Sequence, residues 1–147
     1  MHDSWNICVV YLPPQGSSRY VDANGFLEDL HSQIFTYQNN GHFCILGDFN
    51  SRLGGKADYI EGVDDVPLRE VTDYKTNGYT DIFCDFLVSA SCVVLNGRNS
   101  ITNDFTCIST RGHSVVDYII SPQASLDIFS DFRVIRARDL FENAGCE

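Results

Sequence analysis

Two short apolar runs, Ile7 to Leu12 and Phe43 to Leu46, bracket a stretch whose apolar residues recur at helical spacing, and this order limits the fold more than any other feature. The first run is β-rich and is stopped by Pro13-Pro14 and Gly16-Ser17-Ser18, so it reads as a buried strand entering a loop. Between the runs, Phe26, Leu30, Ile34 and Tyr37, with Leu27 on the same side, predict a helix that Asn39-Asn40-Gly41 would stop. The second run ends abruptly at Gly47. Both runs are too short for helices of ordinary length, so the order is strand, helix, strand.

The rest of the chain continues the alternation. From Asp48 to about Gly78 the residues are polar and punctuated by Gly54-Gly55, Gly62 and Pro67. That is a loop far longer than the ~4–6-residue median, of the kind that is either functional or disordered. A second helix is expected next, with Ile82, Phe86 and Leu87 inward, then a strand at Val93-Val94-Leu95 and a turn at Asn96-Gly97-Arg98. Phe105 to Ser109 and Val115 to Ile120 read as two strands joined by the hairpin-like Thr110-Arg111-Gly112-His113, with a further strand at Phe132 to Ile135. The pattern predicts an α/β fold in which helices pack on one side of a sheet. Its 147 residues, 44% of them hydrophobic, suit a single globular domain over 1–147 with one sizeable core.

Composition also excludes some roles. No apolar run approaches a membrane span, and Met1-His2-Asp3-Ser4-Trp5 has no positive region ahead of an apolar stretch, so an intracellular address without membrane contact is expected. Six cysteines, Cys8, Cys44, Cys84, Cys92, Cys107 and Cys146, form no CxxC pair, and they read as small buried hydrophobes in a reducing compartment. The net charge of −10 argues against a general nucleic-acid binder, although a metal site could reverse that locally.

Chemistry enters at Gly47-Asp48-Phe49-Asn50, where an apolar strand delivers an acid and an amide, two apart, to the same side of its exit. The same residues also suit an ordinary turn. Ser114-Val115-Val116-Asp117-Tyr118 is the second point of interest, because it sets an acid in an otherwise apolar strand. A buried carboxylate without a partner costs several kcal/mol, so Asp117 is expected to meet a donor, a metal, or an arginine such as Arg52 or Arg111.

Taken together, Tyr11-Leu12-Pro13-Pro14, Ile45-Leu46-Gly47-Asp48-Phe49-Asn50, and Thr106 to Ser109 followed by Ser114-Val115-Val116-Asp117-Tyr118 resemble the ordered motifs of the endonuclease/exonuclease/phosphatase family. The chain is most similar to the endonuclease domains of LINE-type retrotransposons and their domesticated relatives, a likeness that Leu95-Asn96-Gly97-Arg98 and Ser109-Thr110-Arg111-Gly112 extend. The resemblance implies part of a two-sheet α/β sandwich that hydrolyses phosphodiesters with Mg²⁺ or Mn²⁺, acts on DNA, and sits beside a reverse-transcriptase region in a parent polyprotein. By the same resemblance Asp48 orients or deprotonates the attacking water and Asn50 holds a phosphate oxygen, both near the metal. Tyr11 leans on the scissile phosphate, Asp117 orients a catalytic histidine, and the Thr106 and Ser114 hydroxyls contact the substrate. Hard oxygen donors of this kind suit Mg²⁺, which keeps several of its waters.

Two departures from the family pattern matter. The ten residues before Tyr11 contain no counterpart of the family's metal-binding glutamate. Nor does the family's terminal Ser-Asp-His appear, since Ser130-Asp131 is followed by Phe132 and Asp139 by Leu140. The domain is therefore expected to be cut short at both ends, with metal binding weak or absent. Two function classes follow: a fragment of a metal-dependent endonuclease of retrotransposon origin, or a catalytically inactive remnant serving as an interaction module.

Overall fold

A computed structural model describes residues 4–98 and 100–136. The strand β1 (Trp5–Tyr11), the helix α1 (Ala23–Tyr37) and the strand β2 (His42–Asp48) come first, and β1 and β2 pair in parallel from Trp5↔His42 to Tyr11↔Asp48. Parallel neighbours need a crossover, and α1 supplies it. Its first turn is capped by the Asp22 carboxylate, which accepts from the Asn24 and Gly25 N–H groups at 3.2 and 3.1 Å. After the long loop come α2 (Thr80–Ser89), β3 (Cys92–Val94), β4 (Ser100–Thr102), β5 (Cys107–Ser109), β6 (Gly112–Ser114), β7 (Asp117–Pro122), a 3-10 helix at Gln123–Ile128 and β8 (Phe132–Arg133). The main sheet has the order β1-β2-β7-β3, with β7 antiparallel to both its neighbours. The pairs β4-β8 and β5-β6 form two small ladders.

Both helices cover one face of the main sheet. Leu27, Leu30 and Ile34 of α1 and Phe83, Phe86 and Leu87 of α2 pack with Phe43, Ile45, Val94, Tyr118 and Ile120 in one buried cluster. Among the described residues the opposite face is closed only over β3 and β7, where Val93, Leu95 and Ile119 meet Leu126 and Phe129 from the 3-10 segment and Tyr59 and Val66 from the long loop. The α/β class expected from the strand and helix order is thus observed, with helices on one side.

Details differ from the expectation. The helix stripe begins at Ala23 and ends at Ile34, while Tyr37, the last residue of the helix, is 48% exposed. The second helix buries Phe83 and Cys84 more deeply than Ile82. The hairpin partner of Cys107–Ser109 is Gly112–Ser114, and β7 leaves that ladder to join the main sheet. The final strand shrinks to Phe132–Arg133. Of the cysteines, Cys44, Cys84 and Cys92 are buried, Cys8 is half-buried and Cys107 is exposed. Cys146 lies outside the described residues. Burial pushes the Cys84 thiol up to about 11 and Cys92 up to about 12, which makes both inert.

The long loop is ordered by buried ion pairs. Arg98, at 1% side-chain exposure, reaches Asp58, also 1% exposed, through two bonds of 2.8 and 2.6 Å. It also donates to the carbonyls of Pro67 at 2.9 Å and Val94 at 2.6 Å, while Asp58 accepts the Val94 N–H at 2.9 Å. All three guanidinium nitrogens and both Asp58 oxygens are thus bonded, as a buried pair requires. Gly97 makes this possible: at φ +81°, a Cβ there would stand 2.1 Å from the Glu70 carbonyl.

Candidate functional site

The site is built by one row of the sheet. Tyr11 pairs with Asp48 across β1 and β2, and Asp48 pairs with Asp117 across β2 and β7, so the three residues lie side by side at one sheet end, on the face away from the helices. The Phe49 N–H donates to the Val116 carbonyl at 2.9 Å, which makes Asp48 and Asp117 a non-hydrogen-bonded antiparallel pair. In such pairs the Cα atoms approach to about 4.5 Å and the side chains are closest. Two carboxylates are therefore direct neighbours.

Gly47 lets β2 reach this point. Its φ is +151°, and a Cβ would stand 1.9 Å from the Val10 carbonyl, so no other residue fits against β1. The next residue pair anchors the turn. Phe49 is fully buried and stacks on Phe83 with ring centroids 4.6 Å apart. Asn50 follows at φ +46°, a left-handed conformation that asparagine tolerates, with its N–H on Asp48 Oδ1 at 2.8 Å. Its Nδ2 donates to the Leu12 carbonyl at 2.9 Å, so Oδ1 is the amide atom left to accept. The turn and the acid-amide arrangement are thus the same feature: the turn holds Asn50 beside Asp48.

Burial raises the Asp48 carboxyl above its ordinary range; the Asn50 N–H pulls it back, and the charge of Asp117 raises it further. Loss of hydration outweighs the repulsion between the two acids. A carboxylate so shifted is a better proton acceptor for water than a solvated one.

Asp117 itself differs from the expectation of a carboxylate inside a strand. It opens β7 and is only half-buried, so water reaches it and no arginine is needed. Arg52 instead forms a double bond set with Asp73 at 2.8 and 2.7 Å, and Arg111 is exposed on the β5-β6 turn. Burial alone would raise Asp73, but the Arg52 guanidinium and the N–H groups of Val115 and Lys75 hold it below the usual range.

The hydroxyls fare differently. Thr106 Oγ1 accepts the N–H groups of Val116 and Asp117, both at 3.1 Å, so it braces the Asp117 backbone and its lone pairs are committed. Ser114 ends β6 in a separate ladder, and no described bond links it to Asp48, Asn50 or Asp117. Tyr11 is 52% exposed, open to a ligand on that face.

None of the described histidines joins the row. His31 sits edge-on to Phe86, His42 lies on Trp5 and His113 on Phe105, at centroid distances of 6.5, 5.2 and 5.4 Å. His2, Asp139 and Leu140 lie outside the described residues. Asp131 of the Ser-Asp-Phe segment pairs with Arg133 at 2.9 Å. Among the described residues no three His, Cys, Asp or Glu side chains gather as a metal cage. The donors present are two carboxylates and one amide oxygen, a set suited to a hard cation that keeps its waters, and unsuited to zinc.

One residue of the site lies where the sequence predicts a turn and where the family likeness continues. Asn96, 4% exposed, continues the sheet past the end of β3: its Oδ1 accepts the Ile119 N–H at 3.2 Å and its Nδ2 donates to the Asp117 carbonyl at 3.1 Å. An Asn directly after an apolar strand was the signal, but the local pattern cannot separate a turn from a side chain that pairs like backbone. The sequence matches no protein-family model and no curated protein.

Proposed function

We propose that the chain carries the centre of a metal-dependent phosphodiester hydrolase site, of the DNA-endonuclease kind found in the endonuclease/exonuclease/phosphatase family and its LINE-type retrotransposon branch. The observation that supports this most is the side-by-side placement of Tyr11, Asp48 and Asp117 with Asn50 bound to Asp48, from three separated stretches of sequence. Two small ladders accompany the main sheet, and the full two-sheet sandwich of that family belongs to this reading.

In this reading Asp48 and Asn50 hold Mg²⁺ or Mn²⁺ weakly, with the Asp117 charge adjacent. The ion, when bound, supplies charge stabilisation to the phosphate. Asp48, its carboxyl raised by burial, takes the proton of the attacking water. Asn50 would bind the ion through Oδ1 and donate its second Nδ2 proton to a phosphate oxygen, and Tyr11 packs against the phosphate from β1. The substrate is DNA, and the chain is a domain fragment of retrotransposon origin whose parent includes a reverse-transcriptase region.

The alternative is a catalytically inactive remnant, and one observation favours it: among the described residues the site has no histidine and no third acid. Removing a single donor to the developing charge commonly costs ~10²–10³ in rate. Two measurements separate the readings. Mn²⁺ titrated into ¹⁵N-labelled chain should broaden the amide signals of Asp48, Asn50 and Asp117 first; broadening centred elsewhere, for example at Asp64-Asp65, sinks the site. In a plasmid-nicking assay the chain should nick poorly in Mg²⁺. Strong nicking that Asp48→Ala abolishes would establish the active enzyme and refute the remnant.

A further inference from the structure

We infer that Asn96 is a positioning residue that holds Asp117 opposite Asp48, with Thr106 as the second arm of the same clamp. The inference rests on the proposed phosphodiesterase site, because it assigns a reason for the clamp within it.

The need for a clamp follows from the ladder. The strand β3 ends at Val94, and the last backbone bond from that side is the Leu95 N–H to the Ile119 carbonyl at 2.8 Å. Asp117 lies beyond that reach, and on its other side β2 ends at its partner Asp48. A strand terminus with like charges face to face would splay, since directly opposed like charges destabilise a pair. The side chain of Asn96 supplies what β3 no longer does. Its amide copies a peptide unit, accepting from Ile119 and donating to Asp117 as a strand residue would.

Thr106 secures the other side of the residue. Its hydroxyl oxygen accepts the Asp117 N–H, while Asn96 holds the Asp117 carbonyl, so both backbone polar groups of one residue are tied to side chains from different segments. Half-buried backbone is ordinarily satisfied by strand or water. The two side chains meet on Asp117 while each also holds a neighbour in the chain, Ile119 for the 4% exposed Asn96 and Val116 for Thr106, so together they fix the start of β7 and Asp117 with it.

The experiment compares the wild-type chain with Asn96→Ala, Thr106→Val and Thr106→Ser. Two readouts are taken on each: the nuclear Overhauser effect between the α-protons of Asp48 and Asp117, intense in a non-hydrogen-bonded pair, and the Mn²⁺ dissociation constant from amide broadening. Asn96→Ala and Thr106→Val should each lose at least half of the Asp48–Asp117 effect and bind Mn²⁺ about tenfold more weakly, while Thr106→Ser behaves as wild type. The Leu46–Ile119 effect reports that the sheet persists; if Asn96→Ala fails that check, Thr106→Val and Thr106→Ser decide alone. An unchanged Asp48–Asp117 effect in folded variants overturns the inference. Wild-type chain that binds no Mn²⁺ at the row overturns the hydrolase reading instead, and the proton-proton effect then still decides whether Asp117 is clamped.

Discussion

The two halves of the main sheet are finished to different degrees. Over β7 and β3 both faces are closed, by helices on one side and by Leu126, Phe129, Tyr59 and Val66 on the other. Over β1, among the described residues, only the helix face is closed: Trp5, Ile7, Val9 and Tyr11 stand on the opposite face at 42%, 65%, 73% and 52% exposure. β1 is also an edge, and its seven residues include no charge. A groove of about 380 Å³ runs beside it, lined in part by Leu30, Ile34 and Tyr37 of α1. The row Tyr11, Asp48, Asp117 crosses from the open half to the closed half. A site placed there has one side held rigidly and the other accessible.

The closed half should be the more sensitive to mutation. Arg98→Ala would leave the Asp58 carboxylate buried without its partner and free the loop carbonyl of Pro67, so a loss of about 3–5 kcal/mol is expected in denaturant unfolding. An Arg98→Ala chain within about 1 kcal/mol of wild type would show that the loop contributes little to the closed half.

The open half should govern association rather than stability. Unguarded apolar edges invite pairing between chains, and a lysine on such an edge blocks it. Val9→Lys is expected to weaken self-association at least about tenfold, ~1.4 kcal/mol, in sedimentation velocity over a concentration series. Its unfolding free energy should stay within about 0.5 kcal/mol of wild type. Wild-type chain that remains monomeric at every concentration would remove the contrast between the halves.

The smallest effect lies at the row itself. The folded Asp48 carboxyl is raised above its ordinary value, so its favourable contribution is present below the unfolded pKa near 3.8 and is lost as pH rises through the folded one. Asp48→Asn keeps the acceptor for the Asn50 N–H and removes the charge. It should stabilise the chain at pH 7 by less than about 1 kcal/mol, because half-burial leaves the group partly screened, and the gain should vanish near pH 3. Equal stabilisation at both pH values would mean that the carboxyl charge is not the cause.

What the sequence determined by itself was set by local rules. Apolar period and stop residues located β1, α1, β2, α2 and β3, because periodicity, glycine and proline act within a few residues. The acid and amide of Asp48 and Asn50 were legible for the same reason, through a turn chemistry confined to four positions. Tertiary structure decided the rest. Whether Asp117 faced Asp48 depended on a strand order and register that join residues far apart, and the pattern around Asp117 suits either hairpin or sheet. The choice of Asp73 as partner for Arg52, the folding of the polar loop onto Arg98, and the use of Asn96 as a surrogate strand were likewise invisible, because each depends on burial. A polar residue in a sequence shows its donors and acceptors, and only the packed chain removes the water that would otherwise satisfy them.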